Sequence, residues 1–180
     1  MTTTPRLATA AILLALVSAC STTWPVGEWS LGDPTARPAP EISASAWINT
    51  TPIPPASLRG KVALIEFWTF GCSSCRKVQP HIKEWYREYG NRGLVVIGVL
   101  TPDSDVERNL ANVEEYVRSH EIPYPVAVDT DLVTWRRFDN WAWPAMYLVD
   151  KRGIIRLRQV GEGWYGRMEA QIQALLAEDG

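Results

Sequence analysis

The amino-acid sequence predicts an α/β domain in which a central mixed β-sheet is covered by helices on both faces. Two short, continuous apolar runs, "KVALIEF" at 61–67 and "LVVIGVL" at 94–100, are rich in β-branched residues and read as strands buried on both sides. Segments with apolar residues at helical spacing alternate with further strand-like runs. The order strand, helix, strand, helix, hairpin, helix implies a sheet of mixed direction. A chain of 180 residues suffices for one such domain plus appendages. Its apolar fraction of 46% and charged fraction of 21% are ordinary for a globular protein, and a net charge of -2 gives no electrostatic case for nucleic acid.

The first twenty residues carry Arg6, an apolar run at 7–17 and then "VSAC" at 17–20. Such a run is too short to span a bilayer as a mature helix and fits a secretory signal peptide over residues 1–19. "VSAC" resembles the lipobox of bacterial lipoproteins, in which cleavage before the cysteine leaves it, here Cys20, to carry the lipid. A simple signal peptide with an incidental cysteine is the alternative. With Cys20 on the lipid, Cys72 and Cys75 are the only cysteines of the soluble part, and export allows a disulfide between them to persist. Residues 21–40 are rich in Pro, Thr and Gly and read as a flexible tether, spanning about 25 Å as a coil and up to about 60 Å if extended. The domain is then expected over residues 41–178.

Within it, a short apolar-polar segment at 42–48 precedes a turn-rich stretch, and the strand at 61–67 leads directly into the cysteines. Residues 75–89 place Val78, Ile82, Trp85 and Tyr89 at helical spacing, with Gly90 ending the helix. After the strand at 94–100, "DVERNLANVEEYVRSH" at 105–120 carries Val106, Leu110, Val113 and Val117 at helical spacing and predicts one second helix. "YPVAVD" at 124–129 predicts a short strand and 132–138 a short helix. "AMYLVD" and "IIRLRQV" read as hairpin strands about the turn "KRG", and 168–176 as a closing helix.

Cys72 and Cys75 stand three apart where the first helix begins, a spacing that puts Cβ atoms about 5 to 6 Å apart and within reach of a disulfide. On the residues alone three uses are open. As a staple the pair adds little, because a four-residue loop gives about 2 kcal/mol against about 3 for a fifteen-residue one. As a metal clasp it lacks ligands: a closed zinc site takes four, and His81 is turned about 120° from Cys75 and lifted about 9 Å along the helix. His120 reaches the pair only through tertiary folding, and both histidines read as surface or packing residues. As a redox pair it exploits the helix N-terminus, whose free N–H groups and dipole favour a negative sulfur at Cys72 by up to about 1 to 2 kcal/mol. Cys72 is then the nucleophile, and Cys75, one turn deeper, the resolving thiol.

Glu66 is out of place in "VALIEFW", since a charged carboxylate is costly to bury. It either faces the edge of the sheet or is a partly buried acid of raised pKa that accepts the proton of Cys75.

The stretch "FWTFGCSSC" resembles the active-site region of the thioredoxin superfamily, with Trp68 four residues and Glu66 six residues before the first cysteine and Pro80 five after the second. "GLVVIGVLTPD", "YPVAVD", "WPAMYLVD" and "GEGWY" are similar to its extracytoplasmic TlpA/ResA/DipZ-like branch, so the resemblance covers about residues 41–176. It implies a thioredoxin-like fold, a cis Pro144 facing the cysteines across a substrate groove, and substrate contacts from Pro144, Trp143 and Trp68, with Trp141 and Trp143 as a lip. The implied activity is thiol:disulfide exchange on exported proteins, apocytochromes among them, with no cofactor beyond the Cys72–Cys75 disulfide. This chain has no segment able to serve as a membrane electron carrier, which implies a separate membrane donor such as a CcdA/DsbD-like protein. Ser73 and Ser74 replace the Gly-Pro of thioredoxin and the Glu-Pro of ResA, and Val78 stands where ResA-like proteins carry a further glutamate. The rival expectations are peroxide reduction in the manner of peroxiredoxins, suggested by Thr69 three before Cys72, and a non-enzymatic binding or copper-carrying lipoprotein.

Overall fold

Strand formation begins at the apolar runs. In the computed structural model, which describes residues 36–179 together with Met1, they become β2 (Val62–Trp68) and β3 (Leu94–Leu100) at the centre of a six-stranded sheet. Every residue of β2 is buried, as a strand covered on both faces requires. The remaining strands are β1 (Ala46–Ile48), β4 (Val126–Val128), β5 (Ala145–Val149) and β6 (Ile155–Val160), in the order β1-β4-β3-β2-β5-β6. The β2/β3 and β3/β4 pairs are parallel and the other three antiparallel, which is the mixed sheet expected.

Period-two alternation along β2 divides the core. Val62, Leu64 and Trp68 point to a face packed by α1 (Ser73–Tyr89), α3 (Leu110–Ser119) and α5 (Tyr165–Ala177). Ala63, Ile65 and Phe67 point to the other, closed by Phe138 and Trp135 at α4 (Val133–Arg137) and by the chain before β2. Helix α4 is held at its start by the Asp129 carboxylate, which accepts the N–H groups of Val133, Thr134 and Trp135 at 2.8 to 3.1 Å.

Two expectations are corrected. The segment at 105–120 is not one helix: α2 (Asp105–Arg108) stops at Asn109, whose side chain accepts the Ala111 N–H at 3.0 Å and caps α3. The break changes the helical phase, leaving Val106 60% exposed and burying Glu107 to 2%. Gly90 ends α1 as its C-cap, as expected, and the chain then passes through a 3-10 turn and reverses at Gly93, whose φ of 102° is open to glycine. Finally, the last residues assigned to the tether belong to the fold. Pro38 bridges Ile154 on the edge of β6, flanked by Ala39 N–H to Gly153 C=O and Ile155 N–H to Arg37 C=O at 2.9 and 2.8 Å. The leader, Cys20 and the rest of the tether fall, Met1 apart, in residues 2–35, outside the described residues. No helix among the described residues is long and apolar enough to cross a membrane.

An apolar cavity of about 210 Å³, lined by Ile42, Ile53, Leu58, Ala63, Ile65 and Val149 among others, lies toward the amino end of β2. It shares no residue with the cysteines at the other end of that strand.

Gly98 on β3 pairs in register with Glu66, and a Cβ there would lie 2.8 Å from Trp68 Nε1 and 3.1 Å from the Tyr124 ring. The strand therefore uses glycine to admit the Trp68 indole. Gly98→Ala is expected to cost about 1 to 3 kcal/mol through overpacking, read as a lower urea midpoint at unchanged m-value.

Candidate active site

The chain leaves the carboxyl end of β2 through Thr69, Phe70 and Gly71 and enters α1 at Cys72. Cys72 is the N-cap residue, with extended backbone angles, and its Sγ accepts the Cys75 N–H at 3.1 Å. Cys72 and Cys75 form a disulfide with a Cα–Cα distance of 5.3 Å, inside the usual span for such bonds. The two sulfurs differ in environment: Cys75 is 3% exposed within the α1 side of the core, while Cys72 is partly exposed. In the reduced pair the same N–H and the helix dipole are aimed at the outer sulfur.

Glu66 lies on β2 between Leu64 and Trp68, on the face that also packs Cys75. It is 1% exposed, so the edge-facing alternative does not hold. Its only hydrogen-bond partner among the described residues is the Tyr124 hydroxyl, which donates to Oε2 at 3.3 Å. Burial raises the Glu66 pKa to about 8, against a smaller lowering from Tyr124. The tyrosine itself, desolvated and next to Glu66, is pushed well above its ordinary value and stays a donor.

Pro144 heads β5, and its peptide bond with Trp143 is cis. Because Phe67 pairs with Ala145, Pro144 lies one residue past the end of that ladder, at the end of β2 that leads to Cys72. Its C=O accepts the Gly161 N–H at 2.8 Å. Trp143 is half-buried, packed on Trp135 at 4.6 Å between ring centroids, and its Nε1 donates to Thr101 Oγ1 at 2.6 Å. Trp141 is 69% exposed. Trp68, expected to touch substrate, is instead 1% exposed, set against Gly98 and 5.5 Å from the Tyr116 ring. A ring so buried presents no surface to a partner and supports the site from beneath. His81 stacks on Tyr165 and His120 on Tyr116, each at 3.7 Å, as packing residues do.

Two features escaped the sequence reading. Trp164, 71% exposed, sits in the loop after β6 that is tied to Pro144 through Gly161 and to α1 through the Lys77–Glu162 ion pair at 3.0 Å. Glu107 reaches back to the cysteine turn, accepting the Gly71 N–H at 2.8 Å and the Thr69 hydroxyl. The available signal was Asn109 directly before Leu110, a helix-capping residue inside an apparently continuous helix.

The pH dependence of stability follows from Glu66. Its folded pKa lies above its unfolded one, so the folded protein holds the extra proton between about pH 4.5 and 8 and loses stability as pH rises through that window. Urea unfolding of the oxidised protein at pH 5 and pH 8 is expected to show this decline, and Glu66→Gln to reduce it by on the order of 3 kcal/mol.

Comparison with known proteins agrees with this geometry. The AhpC/TSA family model matches residues 35–158. DipZ of Mycobacterium tuberculosis is 41% identical over 142 residues, covering 77% of this chain and 20% of DipZ, so the chain spans about a fifth of the length of that relative. The thiol-disulfide oxidoreductase YkuV of Bacillus subtilis is 30% identical over 143 residues, covering 79% of this chain and 96% of YkuV. The solution structure of an oxidised thioredoxin-like protein superposes with a TM-score of 0.73 at 30% identity, covering 82% of this chain and all, 100%, of that one. With a family match that spans more than half of the chain and relatives of this kind, the chain belongs to the AhpC/TSA family and has the thioredoxin-like fold.

Proposed function

We propose that the protein is a lipid-anchored, extracytoplasmic reductase of disulfides in exported proteins, with apocytochromes among its substrates. The observation that carries the chemistry is the placing of a partly exposed Cys72 at the N-cap of α1 above a buried Cys75 and, on the same face of the sheet, a buried Glu66. The "VSAC" sequence at 17–20 supports the anchor and the export.

In the reduced enzyme the Cys72 thiolate attacks one sulfur of the substrate disulfide. That bond breaks, the other substrate sulfur leaves as a thiolate and takes up a proton, and a mixed disulfide forms. Cys75 then gives its proton to ionised Glu66 and attacks the Cys72 sulfur; the mixed disulfide breaks, the second substrate sulfur leaves as a thiolate and takes up a proton, and the Cys72–Cys75 disulfide closes. A carboxyl group of pKa about 8 suits this exchange because a thiol's ordinary pKa is about 8.5, and proton transfer between matched groups costs little. The Pro144 carbonyl is taken by Gly161, so the main chain of Trp143 is the part of this loop that pairs with an extended substrate. Two electrons must then return from a separate reductant, for which a membrane donor of the CcdA/DsbD type is proposed. Peroxide reduction is disfavoured because the Thr69 hydroxyl, which that reading requires, is 1% exposed and spent on Glu107.

Cys75→Ser is expected to accumulate a mixed disulfide at Cys72 with protein substrates, seen as a reductant-sensitive adduct by mass spectrometry, and Cys72→Ser to abolish exchange. Equilibration of the pair with glutathione is expected to give a potential nearer that of thioredoxin, about -270 mV, than that of the oxidant DsbA, about -120 mV. Absence of any adduct would remove the mechanism, and a DsbA-like potential would reverse its direction.

A further inference from the structure

We propose that Glu107 is a positioning residue of the exchange reaction, fixing the turn that delivers Cys72 and tying it to the loop that carries Pro144. The inference rests on Cys72 being the attacking thiol.

Three donors from two separate stretches of chain converge on the Glu107 carboxylate. The Thr69 hydroxyl and the Asp103 N–H, the latter at 2.8 Å, donate to Oε2, and the Gly71 N–H donates to Oε1 at 2.8 Å. Thr69 and Gly71 flank Phe70 in the turn closed by the Cys72 N–H on the Thr69 C=O at 3.3 Å. Glu107 therefore holds the residue immediately before the helix N-cap. Asp103 belongs to the loop after β3, which begins at Thr101. The Thr101 N–H donates to the Trp68 C=O at 3.0 Å, and its hydroxyl accepts the indole N–H of Trp143, the residue joined to Pro144. One carboxylate thus joins the cysteine turn to the β3 loop, and one further hydrogen bond joins that loop to Trp143, the residue before Pro144.

The chemistry of the cluster calls for a group that only accepts. A glutamine of the same volume has one accepting oxygen, and its NH2 group must face a backbone N–H: that of Gly71 in one orientation, that of Asp103 in the other. One main-chain donor of the cluster loses its acceptor either way. The fit is also close, since a Cβ at Gly71 would lie 3.2 Å from Glu107 Oε1. Loss of this brace would let the turn drift relative to the groove. Attack on a disulfide, which needs an aligned approach beside Pro144, is sensitive to such drift; alkylation by a small reagent, which needs only an ionised and accessible sulfur, is not.

The test uses the full-length chain with Cys20→Ser and Cys75→Ser, so that Cys72 is the sole thiol, with and without Glu107→Gln or Glu107→Ala. Each protein is reacted with a peptide disulfide and with iodoacetamide across the pH range. At the high-pH plateau the disulfide reaction is expected to slow by about 10-fold or more in the Gln variant and further in the Ala variant, while the iodoacetamide plateau changes less than about 3-fold. Equal losses with both reagents would show that Glu107 acts on the exposure or intrinsic reactivity of Cys72 and overturn the proposal, as would an unchanged disulfide rate. If the Ala variant fails to fold, the isosteric Gln variant decides. A parent protein inert to both reagents would overturn the assignment of Cys72 as nucleophile, and this inference with it, before any Glu107 variant is compared.

Discussion

Burial of β2 along its whole length is the constraint on which the rest of the structure depends. A strand with no exposed residue must have hydrogen-bonded neighbours on both edges and packed layers on both faces, and β3, β5, α1 and the chain before β2 supply them. The cysteines hang from the carboxyl end of this strand by three residues. Everything that bears on them is therefore referenced to a fully buried strand: Glu66 is in the strand, Pro144 directly precedes the antiparallel partner of Phe67, and Thr101 is bonded to its last carbonyl. A redox pair on an exposed loop would have the same chemistry without that fixed frame.

The position of the pair along α1 adds a second level of control. Placing Cys72 at the N-cap and Cys75 one turn inside divides the dithiol into an outer sulfur addressed by a backbone N–H and an inner one enclosed by the core. In the proposed mechanism the same helix start separates the two steps of exchange, with the outer sulfur open to a partner and the inner one shielded by the core. Trp141 and Trp164 are exposed on either side of the Pro144 loop in sequence, alongside charged groups such as Arg76 at the cysteine turn and the Lys77–Glu162 pair.

Much of this was legible in the sequence, and what was not has identifiable causes. The central strands, the first helix and the closing hairpin follow from short-range patterns that tertiary packing did not override. Glu66 was legible because a carboxylate inside an apolar run is anomalous. Glu107 was not, since a glutamate in "DVERN" looks like any solvated helix residue, and only the capping of α3 by Asn109 changes the phase that buries it. Trp68 was misplaced for a related reason: whether an aromatic beside the cysteines faces a partner or the core is decided by the space at Gly98, on a different strand. Pro38 reads as tether because proline lacks an N–H, yet an edge position makes no demand on it, and its neighbours Arg37 and Ala39 make the bonds.

The two buried glutamates show how hydrogen-bond supply separates roles that burial alone would not. Glu66 and Glu107 are 1% and 2% exposed, and both lie within a few residues of the cysteine turn in sequence or contact. Glu107 is met by three donors, two of them main-chain, so that its carboxylate is solvated by the protein in place of water. These bonds tie two separate stretches of chain to one side chain, which suits a brace. Glu66 is met by one hydroxyl at 3.3 Å and otherwise by apolar side chains, and desolvation carries its pKa to about 8. Its proton can come and go near neutral pH without breaking any main-chain contact, which is what a group serving a buried thiol requires. The division of labour is thus set by the donors each strand and loop happens to aim inward, and not by the identity of the side chain, which is the same at both positions.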